Sequence, residues 1–186
     1  MSTTMRSMIK FLNLFTLIVI LTSCGKKESW SKQSFPEGGF TIEMPSDIKK
    51  TEKKENTVFG KQTTHFIAWK PSSFAIDKFK LFQVSYTDCP ANVPADTNLM
   101  NLMLDSAIEI RKKDFTESEI IESQNIELNG YPGRAFFYDA PKGNTIVTVK
   151  LCITNNKLYD LVVISKKNYS TNGEMGNFFN SFTIIR

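Results

Sequence analysis

The 186-residue sequence has one histidine, His65, and three cysteines, Cys24, Cys89 and Cys152. Each scarcity removes a class of chemistry. A Ser-His-Asp or Cys-His site would have to be built on His65. That residue lies between Thr64 and Phe66 in a stretch that reads as a strand, with no nucleophile elbow near it. A surface histidine, or one with its hydrogen bonds satisfied, is the plainer reading. No CxxC pair occurs, so dithiol redox chemistry and thiolate zinc sites lack support. HExxH, the phosphate-binding glycine loops and the EF-hand loop are also missing. Glu117 with Glu119, and Glu122 with Glu127, sit in polar segments and read as solvated carboxylates rather than a glycosidase pair. The sequence therefore predicts no cofactor, no metal and no enzyme.

Charge of one sign is lacking as well. Arg6 and Lys10 are the only charged residues among the first 23, which leaves 21 basic and 19 acidic residues in the other 163. No basic field and no run of arginine argues for nucleic acid. Hydrophobic content of 41% with 15 Phe is that of a globular domain rather than a disordered tail.

Only one long apolar run is present, Phe11 to Leu21, interrupted by Asn13 and Thr16. As a helix it spans about 16 Å, roughly half a bilayer core, which is short for a permanent span and right for a cleaved signal. Leu21-Thr22-Ser23-Cys24 follows, and then polar Gly25-Lys26-Lys27-Glu28. These four residues resemble the lipobox of bacterial lipoproteins: an aliphatic residue three before the cysteine, with small residues between. Thr22 and Ser23 stand where Ala or Gly is commoner. The resemblance implies cleavage before Cys24, a diacylglycerol thioether on its sulfur and acylation of the new terminus. Two or more acyl chains anchor stably where one is marginal. An ordinary secretory signal with an incidental cysteine is the alternative. Residues 1–23 are then the leader, 24–34 the lipidated cysteine and its tether, and 35–186 the domain. The expected location is the bacterial cell envelope. Gly25 is not the Asp that often holds lipoproteins in the inner membrane, which favours the outer membrane in a diderm cell. In an oxidising envelope Cys89 and Cys152 could bridge; the alternative is two isolated apolar residues, one in a loop and one in a strand.

Along the domain, Phe40, Ile42 and Met44 alternate with Thr41 and Glu43 as a half-buried strand stopped by Pro45. The lysine- and glutamate-rich segment 47–56 reads as an exposed loop, or as an edge strand protected by charge. Residues 57–69 and 79–87 give two further strands. Phe82, Val84 and Tyr86 share one face of the second. Asp96, Thr97 or Asn98 caps a helix running to about Lys113, whose spacing predicts Leu99, Leu102, Met103, Ala107 and Ile110 on the buried side. From Ile120 four strands follow in a meander. Asn129-Gly130 is a type I′ hairpin signal, and connections this short require antiparallel neighbours. Glu174 to Ser181 reads as a short helix burying Met175, Phe178 and Phe179, followed by an apolar run from Phe182 to Ile185.

Four segments stand out: Phe40-Thr41-Ile42-Glu43-Met44-Pro45, Leu128-Asn129-Gly130-Tyr131-Pro132-Gly133-Arg134, Leu158-Tyr159-Asp160-Leu161 and Phe178-Phe179-Asn180-Ser181-Phe182. Together they resemble bacterial PsbP-like domains. The resemblance implies an α+β fold: an α/β/α sandwich with a curved antiparallel sheet of about six strands and helices packed on it. It also implies an extrinsic or adaptor protein. The expected function is a membrane-anchored, non-catalytic binding module. It would be held to the membrane by lipid on Cys24 and would engage an envelope protein. The alternatives are a carrier of an apolar ligand and an unrecognised hydrolase.

Overall fold

Period-two alternation of apolar side chains runs through most of the chain, and it folds accordingly into strands. The structure, a computed structural model, describes residues 29–57, 60–71, 79–90, 96–114, 119–140, 144–154, 156–169 and 173–185. The leader, Cys24 and residues 24–28 of the tether lie outside the described residues. The elements are β1 (Trp30–Phe35), β2 (Phe40–Pro45), β3 (Lys49–Thr57), β4 (Gly60–Trp69), β5 (Phe79–Asp88), α1 (Thr97–Asp114), β6 (Glu119–Leu128), β7 (Tyr131–Ala140), β8 (Thr145–Thr154), β9 (Lys157–Lys166), α2 (Gly173–Ser181) and β10 (Thr183–Ile184).

The fold is α+β, but its layers differ from the expected sandwich. Seven strands rather than about six form the main antiparallel sheet, in the order β3-β4-β5-β9-β8-β7-β6. A separate three-stranded sheet, β1-β2-β10, lies with α2 on one face of it, and α1 packs on the other. Two strands account for the difference. Segment 49–57 takes the edge-strand option as β3, every residue of which is exposed. Residues 30–34, expected in the tether, instead join Phe35 in β1, paired along its whole length with β2. β1 is apolar only at Trp30 and Phe35, so it lacks the alternation that would mark it as a strand. The first strand of the described residues thus starts at Trp30.

Helix α1 forms where expected. The Asp96 carboxylate accepts from the backbone N–H groups of Asn98 and Leu99 at 2.8 and 3.1 Å, satisfying two of the open donors of the first turn. Its buried face is turned from the predicted one. Met100, Met103, Leu104, Ala107 and Ile108 meet the sheet, at i, i+3, i+4, i+7 and i+8. Leu102 and Ile110, expected inside, are 57% and 61% exposed. Apolar residues occur all round the first turns, so spacing alone does not choose the phase. Polar contacts select it. Arg111 holds Asp160 of β9 through Nε at 2.8 Å and through Nη2. Arg134 of β7 donates to Asn101 at 3.0 Å and to Asp105 at 3.2 Å.

The four conspicuous segments converge on the opposite face. Phe40 is fully buried, its ring centroid 6.0 Å from Tyr159 and 5.3 Å from Phe182. The Tyr159 hydroxyl donates to the Gly38 carbonyl at 2.7 Å. Asn129 donates from its amide to the Phe182 carbonyl at 2.8 Å, and the Glu43 N–H donates to Ser181 Oγ at 2.9 Å. Asn129 and Gly130 have φ of 55° and 82°, as a type I′ turn requires.

Gly133 has a different role. A Cβ there would lie 2.2 Å from the Leu151 carbonyl oxygen, so only glycine lets β7 lie this close to β8. We expect Gly133→Ala to lower unfolding free energy by about 1–3 kcal/mol. In α2 nothing lies within 4 Å of a Cβ added at Gly176. Gly176→Ala should therefore leave stability unchanged or raise it by about 0.5–1 kcal/mol. Urea denaturation of the two variants checks this, and equal effects at both positions would contradict it.

Candidate functional site

The turn between β1 and β2 overhangs the main sheet near its β3 edge. It is closed by the Gly39 N–H donating to the Pro36 carbonyl at 3.0 Å. Under it opens a groove of about 560 Å³. His65, Ile67 and Tyr86 form the floor, Lys50, Thr51 and Glu52 of the edge strand one wall, and residues 34–38 the other. Strand register explains the assembly. Glu52 pairs with His65, His65 with Tyr86, and Tyr86 with Tyr159, which places these four residues in one row across β3, β4, β5 and β9. The row ends under Gly38 at the Tyr159 hydroxyl.

The floor is aromatic and the rim charged. The His65 and Tyr86 rings stack at 4.7 Å with planes 17° apart. Lys157 Nζ lies 5.4 Å from the Tyr86 ring centroid and Lys50 Nζ 5.1 Å from that of Phe35, both cation–π placements. Burial, and then the carboxylates of Glu37 and Asp88, raise the Tyr86 phenol above its ordinary value, so it stays protonated at neutral pH. His65 Nδ1 stands 4.0 Å from Glu52 Oε2. Among the described residues no hydroxyl or thiol is hydrogen-bonded to the His65 ring, and no group of three His, Cys, Asp or Glu side chains is arranged to hold a metal. What the groove offers is a ring surface of about ligand size flanked by Lys50 and Glu52 on one side and Glu37 on the other. That arrangement suits binding.

The other residues weighed from sequence lie elsewhere. Glu122 and Glu127 are exposed, five positions apart on one strand and so on opposite faces. Glu117 lies outside the described residues. Cys89 and Cys152 are both buried and free. They fall in different apolar clusters, Cys152 in the one under the small sheet and Cys89 in the one under α1. Sequence reading missed the groove itself. The turn at Glu37-Gly38-Gly39 was legible, but nothing in it shows that it would hang over His65 and Tyr86.

No protein-family model matches the sequence, and no curated protein sequence matches it. Solved structures do resemble the fold. The cyanobacterial PsbP of Synechocystis sp. PCC 6803 aligns over 88% of this chain and 98% of its own, with 10% identity and a TM-score of 0.52. A protein of unknown function from Pseudomonas aeruginosa, described as a putative regulator, aligns over 79% and 90%, with 10% identity and a TM-score of 0.42. One from Bacteroides thetaiotaomicron aligns over 83% and 48%, with 12% identity and a TM-score of 0.38. The fold is PsbP-like; at this identity the likeness concerns the fold alone.

The two body thiols provide a direct check. Burial pushes Cys89 up to about 11 and Cys152 up to about 12. Neither should react with a thiol reagent at pH 8 in the native state, and both should react in denaturant. Their folded values lie above the unfolded one, so the stability they contribute is complete below about pH 8.5. It is lost as pH rises toward those folded values. Cys152→Ala should flatten the alkaline fall in stability measured by urea titration. A disulfide-linked pair, or an unchanged alkaline slope, would contradict the placement.

Proposed function

We propose that this chain is a lipid-anchored lipoprotein of the bacterial cell envelope whose domain acts as a non-catalytic binding module. The observation that carries the reading is one of position. A lipobox-like cysteine, Cys24, ends an export signal, and a folded strand, β1, begins only six residues later. Such a chain holds its domain against the membrane. In a diderm cell Gly25 after the cysteine favours the outer membrane. The PsbP-like fold is consistent with an extrinsic protein that works by contact.

Within this reading the groove beneath the β1–β2 turn is where a protein partner engages, its charged rim supplying selectivity and its aromatic floor supplying contact area. Carriage of an apolar ligand is the second reading, favoured by the groove volume of about 560 Å³, which lies in the range of small-molecule sites. The charged rim favours the protein partner. The spaces between the layers are filled by fully buried Phe40, Phe82, Phe136, Phe178 and Phe182.

Co-purification from native membranes after crosslinking tests the proposal. The wild-type chain should return a reproducible protein partner, and Lys50→Glu with Glu52→Lys should lose it. Both side chains are exposed, so the double variant keeps the fold. Clean monomeric recovery with no partner, or a partner indifferent to the double variant, would contradict the assignment.

A further inference from the structure

We propose that the end of the main sheet from which the tether emerges is a docking surface for an anionic bilayer. The proposal rests on the lipid anchor at Cys24. β1 runs from Trp30, whose ring lies 5.0 Å from Phe82, toward Phe35 and the turn over Tyr86. Trp30 therefore sits by the C-terminal end of β4 and the N-terminal end of β5. Six peptide steps separate Trp30 from Cys24, at most about 20 Å even when fully extended. This end of the domain cannot stand off from the surface that holds the lipid.

The charges at that end fit such a surface. Lys49 opens β3 opposite Ala68, Lys70 follows Trp69 at the end of β4, Lys80 is the second residue of β5, and Lys166 closes β9 opposite Thr145. Lys49, Lys70 and Lys80 are exposed and Lys166 is half-buried. Among the described side chains the acids there include Asp47, Asp139, which is held by Lys167 at 2.6 Å, and Glu174 in the first turn of α2. Lys26, Lys27 and Glu28 in the tether add one net positive charge. At the far end lysines and acids alternate. There Lys53 pairs with Glu55 at 2.7 Å, Lys54 with Glu52 at 3.1 Å, and Lys157 with Asp88. Trp69 at this end is buried in the core, but Trp30 is half-buried and reaches the surface there. Aromatic side chains of this kind favour the membrane–water interface.

The test separates surface docking from lipid anchoring by removing the lipid. The full mature chain carrying Cys24→Ala is sedimented with phosphatidylcholine vesicles, with and without phosphatidylglycerol. Binding should require phosphatidylglycerol and disappear at high salt. Each lysine should contribute roughly fivefold to partitioning, so replacing Lys49, Lys70, Lys80 and Lys166 by Gln together should weaken it several hundredfold. Replacing Lys53, Lys54 and Lys61 should leave it unchanged. If the fourfold variant fails to fold, Lys49→Gln and Lys70→Gln alone should each lose about fivefold. No preference for anionic vesicles, or equal sensitivity to the two lysine sets, overturns the proposal and leaves an acidic protein surface as the occupant. Fatty-acid incorporation into the unaltered chain is read separately, and its absence removes the anchor whatever the vesicles show.

Discussion

A single hydrogen bond, from the buried hydroxyl of Tyr159 to the carbonyl of Gly38, marks the joint on which the architecture depends. The main sheet is one unit and the β1-β2-β10 sheet another. They share no strand, so only side chains can join them. Phe40 supplies the apolar part of the joint, packed among Phe35, Tyr86, Tyr159 and Phe182. The tyrosine supplies direction. A buried carbonyl without a partner costs roughly 1–3 kcal/mol, so the turn at Gly38 settles where Tyr159 meets it. Gly38 also lacks room for a side chain, since an added Cβ would lie 2.6 Å from Phe40 and 2.9 Å from Tyr86. The groove beside this turn is a consequence of the joint, for the same contacts that seat Gly38 leave His65 and the outer edge of Tyr86 open.

On the opposite face the attachment is ionic as well as apolar. Arg111 reaches from α1 to Asp160, and Arg134 from β7 to α1, in a setting where both arginines are mostly covered. Breaking a covered pair by removing one partner is costly, because the other charge is left behind. The two arginines thus fix the helix phase that the apolar residues leave open. The conspicuous segments of the sequence are in this sense structural. They place layers rather than carry chemistry, which agrees with reading the protein as one that works by contact.

Much of the strand pattern was legible, because strands with one covered face alternate. Val147, Val149, Leu151 and Ile153 are all buried toward α1, and Thr148 and Cys152 toward the small sheet. The hairpin at Asn129-Gly130 followed from its need for positive φ. What escaped was whatever depends on distant parts of the chain. β1 is polar along its middle and exists because β2 lies beside it. The phase of α1 depends on partners 49 and 29 to 33 positions away, Asp160 and Arg134. The groove takes its walls from β1, the following turn, β3, β4 and β5, none of which announces the others. His65 lies on a strand as expected, but its stacking on Tyr86 follows only from register.

The functional account turns on where the mature chain begins and what its first residue carries. An anchor six residues before β1 would bring a basic end and an accessible groove of the same body close to a membrane. Intact-mass analysis of the protein extracted from native membranes tests this directly. The account predicts a chain starting at Cys24 whose mass exceeds that of the polypeptide by a diacylglyceryl group and an amide-linked acyl chain. A chain that keeps residues 1–23, or one that starts at Cys24 with no added mass, would contradict it.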